Sequence, residues 1–211
     1  NGTVLADAIR LLEAPGSPIG PVSDENPAAN QVAEDATIGA TVGITAYAVD
    51  AGDTVTYSLD DNAAGLFAID AATGVVTVAA ALDYETATSH AITVRATSSD
   101  TSYSTANFSI IITDVNEPPA LSLTNVTTTL SEATDTTSAI KVAEIVVADD
   151  LLGTNTLSLS GTHASLFEIV GTDLFLKAGT TLDYETVPQL DVTVEVDDTE
   201  VGSTPDDSAP L

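Results

Sequence analysis

The sequence predicts an all-β protein built from two tandem Greek-key β-sandwiches of the immunoglobulin-like type. Two observations support this prediction: an internal repeat with a constant offset of 100 residues, and a series of short β-branched segments within each copy. Self-similarity at a fixed period indicates repeated copies of one fold. About seven short strands in ~100 residues is typical of an immunoglobulin-like sandwich.

The internal repeat is clearest in the motif Leu82-Asp83-Tyr84-Glu85-Thr86, which returns unchanged 100 residues later. Four segments share this offset. They are residues 57–59, 66–69, 82–86 and 92–94, with counterparts at 157–159, 166–169, 182–186 and 192–194. A common offset across separate segments is hard to obtain by chance, so the chain contains two copies of one unit.

Within the first copy, the strand candidates are short segments rich in Val, Ile and Thr. They are residues 55–59, 74–78, 91–95 and 108–112. Turn-forming residues separate them, as in Asp60-Asp61-Asn62. Alternating β-branched segments bounded by turn residues predict antiparallel strands rather than helices.

The repeat also predicts the domain boundaries. Residues 1–22 contain three prolines and form a linker or, at residues 4–11, the last strand of a preceding domain. The first repeat spans residues 23–118, and the second spans residues 119–211. Pro118 and Pro119 restrict the backbone between the two repeats. The second repeat has no counterpart of residues 108–112, so we expect it to be truncated, without its last strand.

The composition excludes several classes of function. The sequence contains thirty-two Asp and Glu residues but only four Lys and Arg residues, which gives a net charge of −28. This negative charge disfavours binding to nucleic acid or anionic membranes. Cysteine is absent, which excludes disulfides and thiolate chemistry. No apolar run reaches the ~20 residues of a membrane helix. We expect no signal peptide, because a basic segment followed by an apolar one is not found. We expect an internal piece of a longer extracellular protein. Acidity alone also fits a secreted or halophilic surface.

The repeated motif places two carboxylates close together. On an extended strand Asp83 and Glu85 point to one face, while Leu82 and Tyr84 point to the other, towards the core. Neighbouring carboxylates repel unless a cation lies between them. Calcium takes six to eight oxygen ligands and accepts carboxylate, amide and backbone oxygens. A solvated acidic face is the alternative interpretation.

Further oxygen-rich clusters lie at the ends of the repeats. They are Asp114-Val115-Asn116-Glu117, Asp149-Asp150 with Asn155, Asp197-Asp198, and the single residues Glu34 and Glu132. Loops of a Greek-key sandwich gather at its two ends, so separate clusters can converge on one junction.

These residues resemble the pattern of cadherin repeats over about residues 24–211. The resemblance rests on Glu34, Asp50, Tyr57-Ser58-Leu59, Phe67-Ala68-Ile69-Asp70, Thr73-Gly74, Leu82-Asp83-Tyr84-Glu85 and Asp114-Val115-Asn116-Glu117-Pro118. The repeated Leu-Asp-Tyr-Glu-Thr motif and the background rich in Ser, Thr and Ala are similar to the cadherin-like repeats of large bacterial surface proteins. The resemblance implies cadherin-type β-sandwiches with calcium ions between successive repeats.

The resemblance also implies a ligand set for this junction. It comprises Glu34, Asp83, Glu85, Asp114, the carbonyl of Val115, Asn116, Glu117, Asp149, Asp150, Asn155 and Asp198. Weaker candidates are Asp24, Asn26, Asp50, Asp53, Glu132, Asp183 and Glu185. The chain departs from the family pattern at Glu117, which replaces an Asp, and at Ser98, which stands where the second repeat has Asp198.

The expected function is a calcium-binding module of an extracellular adhesin, in which calcium stiffens the junction between repeats. Expected partners are calcium, neighbouring repeats of the same chain, and a protein (homophilic or heterophilic contact) or a polysaccharide. The alternatives are a carbohydrate- or protein-binding module and a purely structural stalk or filament subunit. We expect no enzymatic activity, because no catalytic motif is present. Asp83 and Glu85 on one strand leave no room for a sugar ring between them.

Overall fold

The computed structural model of the protein describes residues 17–211, and its regular elements confirm the all-β prediction. The chain divides into two compact units, with the boundary between Asp114 and Val115. Within the described residues, the exception to strands is a short 3-10 turn at Ala164–Leu166. The possible strand at residues 4–11 lies outside the described residues. None of the described helices has the length and apolar character needed to cross a membrane.

The described residues of the first unit form eight strands in two sheets. The strands are β1 (Ser23–Asp24), β2 (Gln31–Ala33), β3 (Thr41–Tyr47), β4 (Val55–Asp61), β5 (Phe67–Ile69), β6 (Val75–Val78), β7 (Ser89–Ser98) and β8 (Tyr103–Thr113). One sheet has the order β1-β3-β6-β5, and the other has the order β2-β8-β7-β4. β2 runs parallel to β8, whereas β7 pairs antiparallel with both β4 and β8.

The core of the first unit lies between the inward faces of its strands. Alternate residues of β7, namely Ile92, Val94 and Ala96, are at most 1% exposed. Ile110 and Ile112 of β8 are buried to the same extent. Each large aliphatic side chain buried in this way stabilises the fold by about 1.5–3 kcal/mol relative to an exposed position. This alternation is what the sequence predicted for strands with one buried face.

The first unit also includes residues that the sequence placed in the linker. Ile19 and Val22 are buried in the same core. The backbone N–H of Gly20 donates to the carbonyl of Val49 over 2.9 Å. The N–H of Ile19 donates to the Ser102 hydroxyl. The unit therefore starts before residue 23. Prolines flank this segment and are typical of a linker, so the sequence did not predict that it packs in the core.

The second unit repeats this arrangement with seven strands. They are β9 (Ala120–Thr124), β10 (Ile140–Ala148), β11 (Asn155–Ser160), β12 (Phe167–Val170), β13 (Asp173–Leu176), β14 (Thr193–Asp198) and β15 (Asp207–Pro210). The sheets have the orders β12-β13-β10-β9 and β11-β14-β15. No counterpart of β2 occurs among the described residues of this unit.

The second unit contains the beginning of a last strand. β15 corresponds to residues 104–107 of β8, ahead of the residues 108–112 for which the sequence showed no counterpart. β15 pairs antiparallel with β14 over four residue pairs, as β8 pairs with β7 over nine. Asp207-Ser208-Ala209-Pro210 contains no β-branched residue, so its composition does not predict a strand. Pro210 fits this position because proline is tolerated on an edge strand.

Candidate cation-binding sites

Three carboxylates meet at one end of the first unit. Glu34, Asp83 and Glu85 each have an oxygen within 4.8 Å of the others, and we call them the Glu34 cluster. Glu34 is only 6% exposed, whereas Asp83 and Glu85 are exposed. Three negative charges this close repel one another strongly where water is partly excluded. The Glu34 cluster therefore favours a bound cation.

The Leu82–Glu85 motif is a turn rather than the extended strand that the sequence predicted. The Asp83 carboxylate accepts the N–H of Thr86 at 2.7 Å, and the Asp83 carbonyl accepts the N–H of Ala87 at 3.1 Å. Asp side chains commonly bond to the backbone two or three residues ahead and so favour turns. Leu82 is nevertheless buried, and Tyr84 packs against the core. The carboxylates of Asp83 and Glu85 lie close together because the backbone turns here, and not because alternate residues of a strand share a face.

Glu34 is held in place by backbone contacts from two directions. Its N–H donates to the carbonyl of Thr113, which continues the pairing of β2 with β8. Its carboxylate accepts the N–H of Tyr84 at 2.6 Å. A buried charge requires hydrogen bonds to offset its lost hydration. The end of β8 and the Tyr84 turn therefore fix the position of the Glu34 carboxylate.

A second acidic group, the Asp50 cluster, lies elsewhere in the first unit. Asp50, Asp53 and Asp100 each offer an oxygen within 4.8 Å of the others. Both carboxylate oxygens of Asp50 are buried and have no hydrogen-bond partner among the described residues. The Ser102 side chain and backbone, which bond to Asp100, lower the pKa of its carboxyl and keep it charged.

Asp100 was missing from the residues predicted by sequence. The prediction compared residues at the fixed offset of 100, so it compared Ser98 with Asp198. In the structure, a turn beyond β7 brings Asp100 beside Asp50 instead. The signal in the sequence was an Asp two residues beyond the expected position, followed by the turn residues Thr101 and Ser102.

The structure does not bring Asp24 into the Asp50 cluster. Asp24 lies in β1 opposite Ala46, and its carboxylate accepts the N–H groups of Thr45 and Asn26. The Asn26 side chain in turn accepts the N–H of Ala28. Both side chains therefore bond to local backbone.

In the second unit, a network of oxygen-bearing side chains surrounds Asp198. Asp198 is fully buried and accepts the Asn116 amide at 3.1 Å. The N–H of Glu200 is the main cause of a lowered pKa at Asp198, with contributions from Asn116 and the N–H of Thr154. Gly153 packs so closely that a Cβ there would lie 1.7 Å from Asp198 Oδ2.

The network extends to the loop before β11. Asn155 pairs with Asp198 across β11 and β14, and its amide donates to Asp149 at 2.6 Å. Asp150 accepts the N–H of Glu117 at 2.8 Å. The loop thus connects to the segment that contains Asn116 and Glu117.

Several oxygens of this network lack partners. Asp149 Oδ1, Asn116 Oδ1 and Asn155 Oδ1 are buried without a hydrogen bond among the described residues. Buried polar atoms are normally satisfied, so such oxygens indicate an absent ligand. Carboxylate and amide oxygens, without nitrogen or sulfur ligands, match the preference of calcium. These residues therefore fit a calcium ion.

Asp206 was also missing from the sequence prediction. Its carboxylate accepts the N–H of Asp198 at 2.7 Å through Oδ2, while its Oδ1 is buried without a partner. Asp206 lies in the segment between β14 and β15, where the sequence showed no motif.

Glu132, Asp183 and Glu185 are the second unit's counterparts of the Glu34 cluster. The N–H of Tyr184 donates to Glu132 at 3.3 Å, longer than the 2.6 Å bond of Tyr84 to Glu34. Glu132 is exposed, and the three carboxylates do not gather as the Glu34 cluster does in the described structure. Asp114 follows directly on β8, and Val115 is the first residue of the second unit.

Comparison with known proteins identifies the repeats. Residues 29–113 match the family described as Cadherin domain. The structure of "Protocadherin Gamma B7 extracellular cadherin domains 1-4" matches with a TM-score of 0.60 and 27% identity, covering 86% of this chain and 45% of that chain. The chain is similar to tandem cadherin domains. A structure of Protocadherin Gamma B2 domains 3-6 gives a TM-score of 0.62 at 26% identity, covering 86% of this chain and 43% of that one.

Curated relatives agree with this identification. Human Protocadherin Fat 1 is 30% identical over 210 residues, which cover 93% of this chain and 4% of that protein. Mouse Cadherin-17 is 42% identical over 90 residues, which cover 42% of this chain and 11% of that protein. The chain thus spans a small fraction of these relatives.

Proposed function

We propose that these cadherin-like repeats are a calcium-binding module of an extracellular adhesion protein, and that calcium stiffens the connection between the repeats. The observation that supports this most is the set of buried side-chain oxygens without partners around Asp198. Acceptor oxygens without partners are satisfied by a hydrogen-bond donor or by a cation. A hard divalent cation that takes six to eight oxygen ligands satisfies several of them at once.

The proposed ligands come from both repeats and from the residues that join them. The first repeat supplies Glu34, Asp83, Glu85 and Asp114, and the linking residues supply the Val115 carbonyl, Asn116 and Glu117. The second repeat supplies Asp149, Asp150, Asn155 and Asp198. Because Asp114 and Val115 are consecutive, ligands on each side of this bond restrict the backbone between the repeats when they share a cation.

Charge supports calcium as the cation. With a net charge of −28, the chain repels itself, and a bound cation offsets part of that repulsion. Calcium bound only to the folded state stabilises it by RT ln(1 + [L]/Kd), about 2.7 kcal/mol at a hundredfold excess over Kd. Magnesium keeps its water shell and prefers smaller octahedral sites, so it should stabilise the protein much less.

Two measurements on the whole chain test this function. Calorimetric titration should give saturable calcium binding that Asp149→Asn weakens, with the exposed Asp191→Asn as the matched control. Small-angle scattering should show a narrower distribution of dimensions with calcium than with chelator. Equal binding by both variants, or equal responses to calcium and magnesium, would point to general charge screening and overturn the proposal.

We propose a protein rather than a polysaccharide as the adhesion partner. Sugar-binding sites use open aromatic faces, and Tyr103 is an exposed candidate. The Arg95 guanidinium lies 4.2 Å from the centre of its ring, and Arg95 is also paired with Asp60 at 2.6 Å. That face of Tyr103 is therefore occupied by a cation. Binding of the chain to a panel of polysaccharides, abolished by Tyr103→Ala, would contradict this choice.

A further inference from the structure

In the second unit, His163 bonds to the backbone of Asp191 in both directions. Its own N–H donates to the carbonyl of Asp191 at 3.0 Å, and the N–H of Asp191 donates to the imidazole Nδ1 of His163 at 3.0 Å. Two such bonds to one residue resemble those of a neighbouring strand in an antiparallel ladder. His163 directly precedes the 3-10 turn at Ala164–Leu166. A turn residue thus takes the place of a strand, and we call this pair of bonds the His163 latch.

The His163 latch continues the pairing of β14 beyond the end of β11. The last pair between these strands is Ser160 with Thr193. Gly161, with a φ of +103°, then turns the chain, and an added Cβ there would lie 3.0 Å from the Asp191 carbonyl oxygen. Neighbouring strand residues bond to opposite sides, and the carbonyl of Val192 accepts a bond from the side of β15. Asp191 therefore faces the side of β11, and the latch does not involve β15.

The first unit lacks this latch at the corresponding positions. The residues 100 positions earlier are Ala63 and Ala91. Ala63 has no acceptor in its side chain, and its N–H donates to the Asp61 carboxylate at 2.9 Å. The other histidine of the chain, His90, packs edge-on against the Phe67 ring. The His163 latch is therefore a feature of the second unit and not of the repeated fold.

The bond from the Asp191 N–H requires an unprotonated Nδ1 on His163. A neutral imidazole has one nitrogen that accepts a hydrogen bond, whereas a protonated imidazole carries N–H groups on both nitrogens. Protonation would point an N–H of the ring at the N–H of Asp191, so this bond would be lost. Histidine is the side chain whose charge ordinarily changes between pH 5 and pH 8. The latch thus depends on an acceptor that mild acid removes.

Charged side chains lie on the elements around His163. The Asp191 carboxylate accepts the Gln189 amide, Glu195 of β14 accepts the hydroxyls of Ser158 and Ser160, and the Lys177 ammonium donates to the carbonyl of Ser165. Glu168 of β12 follows the buried Phe167 and so points away from the core. Because two carboxylates and one ammonium surround the latch, negative charge offsets the charge of a protonated His163.

We propose that the His163 latch is an acid-sensitive device of the second unit. Neutral His163 fixes residues 189–192 at the entry to β14, and protonation of His163 releases them. Leu190 and Val192 of this segment pack in the core of the unit. Release of their backbone loosens that packing, so this part of the second unit opens more readily in mild acid. The first unit, which lacks the latch, does not respond in this way.

NMR on the whole chain tests the proposal between pH 7.5 and pH 5, where Asp and Glu side chains remain largely ionised. A chelator keeps calcium out of the measurement. At pH 7.5 the nitrogen signals of His163 should show an unprotonated Nδ1 and a protonated Nε2. The protection factor of the Asp191 amide, which corrects for the intrinsic pH dependence of exchange, should fall at least tenfold by pH 5. The protection factor of the Thr93 amide in the first unit should stay unchanged.

Variants of the chain assign the response to His163. His163→Asn places an amide oxygen near the position of Nδ1, and it should keep the Asp191 protection at both pH values because this acceptor does not titrate. His163→Ala should lose the protection at both, and the matched control His90→Asn should retain the decline. A decline that persists in His163→Asn would overturn the proposal. Constant protection of Asp191 in the unmodified chain, or a protonated Nδ1 at pH 7.5, would overturn it even if the variants failed to fold.

Discussion

The N–H of Tyr84 donates a 2.6 Å hydrogen bond to the carboxylate of Glu34, fifty residues earlier in the chain. This bond joins the turn that contains Asp83 and Glu85 to the end of β2. It holds a buried carboxylate beside two exposed ones, so the repulsion among them cannot be relieved by moving Glu34 away. The geometry of the Glu34 cluster thus depends on a backbone donor rather than on a basic side chain.

The first prediction separates the charge of Glu34 from its hydrogen bond. Glu34→Gln keeps an oxygen that accepts the Tyr84 N–H but removes the charge. Without calcium its melting temperature should equal or exceed that of the unmodified chain, since repulsion falls. Glu34→Ala should cost about 1.5–3 kcal/mol, the contribution of a hydrogen bond to a charged group. Both variants should bind calcium more weakly in calorimetric titration.

Glu132→Gln is the matched control for this prediction, because Glu132 is the exposed counterpart with the longer 3.3 Å bond. It should change the melting temperature without calcium by much less than Glu34→Ala does. An equal loss of stability at the two positions would show that the burial of Glu34 does not strengthen the contribution of its hydrogen bond to stability.

The second prediction concerns Gly153, whose φ is +65°. Gly153→Ala places a Cβ 1.7 Å from Asp198 Oδ2 and 2.8 Å from Asn116 Nδ2, so these side chains must move. We expect a loss of at least about 2 kcal/mol in denaturant unfolding, together with weaker calcium binding.

Gly171→Ala is the control for Gly153, since φ is +63° at Gly171 and no atom lies within 4 Å of an added Cβ. It should cost only about 1–2 kcal/mol, from the left-handed backbone conformation. Calcium affinity should stay unchanged in this variant. If both alanines weaken calcium binding equally, Gly153 does not position the Asp198 network.

The third prediction is a pH dependence. The N–H of Glu200 and the Asn116 amide hold the pKa of Asp198 below its ordinary value of 3.8. The folded state therefore binds this proton less readily than the unfolded state. The resulting stabilisation is complete above the unfolded-state pKa, near pH 4, and is lost as pH falls through the lower folded-state pKa.

Unfolding measured in denaturant between pH 6 and pH 2.5, without calcium, checks this dependence. Asp198→Asn should flatten the decline in stability below pH 4, because the titrating group is gone. Glu200→Gln keeps the N–H that bonds to Asp198 and should retain the decline. An unaltered profile in Asp198→Asn would assign the acid sensitivity to other carboxylates.

The sequence predicted the parts of the structure that depend on periodicity. Alternation gave the buried face of β7, and the constant offset gave two sandwiches. The sequence-based prediction was wrong where a turn or a short strand determines the position of a residue. The Tyr84 turn contains residues that also suit a strand, and β15 contains none that favour one. Asp100 and Asp206 were not predicted as ligands. Backbone turns bring them to the Asp50 cluster and to the Asp198 network, and these turns do not follow the constant offset between the repeats.

The last prediction tests whether the Asp50 cluster binds a cation without help from Asp24. Both oxygens of Asp50 are buried without partners among the described residues, and Asp53 and Asp100 lie within 4.8 Å. Asp100→Asn should therefore weaken the calcium-induced changes in the amide NMR signals of Ser99 and Ser102. Asp24→Ala should leave these changes intact but lower stability by about 1–3 kcal/mol, because it removes the oxygen that accepts the N–H groups of Thr45 and Asn26. Loss of the calcium response in Asp24→Ala would mean that the cluster depends on β1. An undiminished response in Asp100→Asn would show that Asp100, although close to Asp50, is not a ligand.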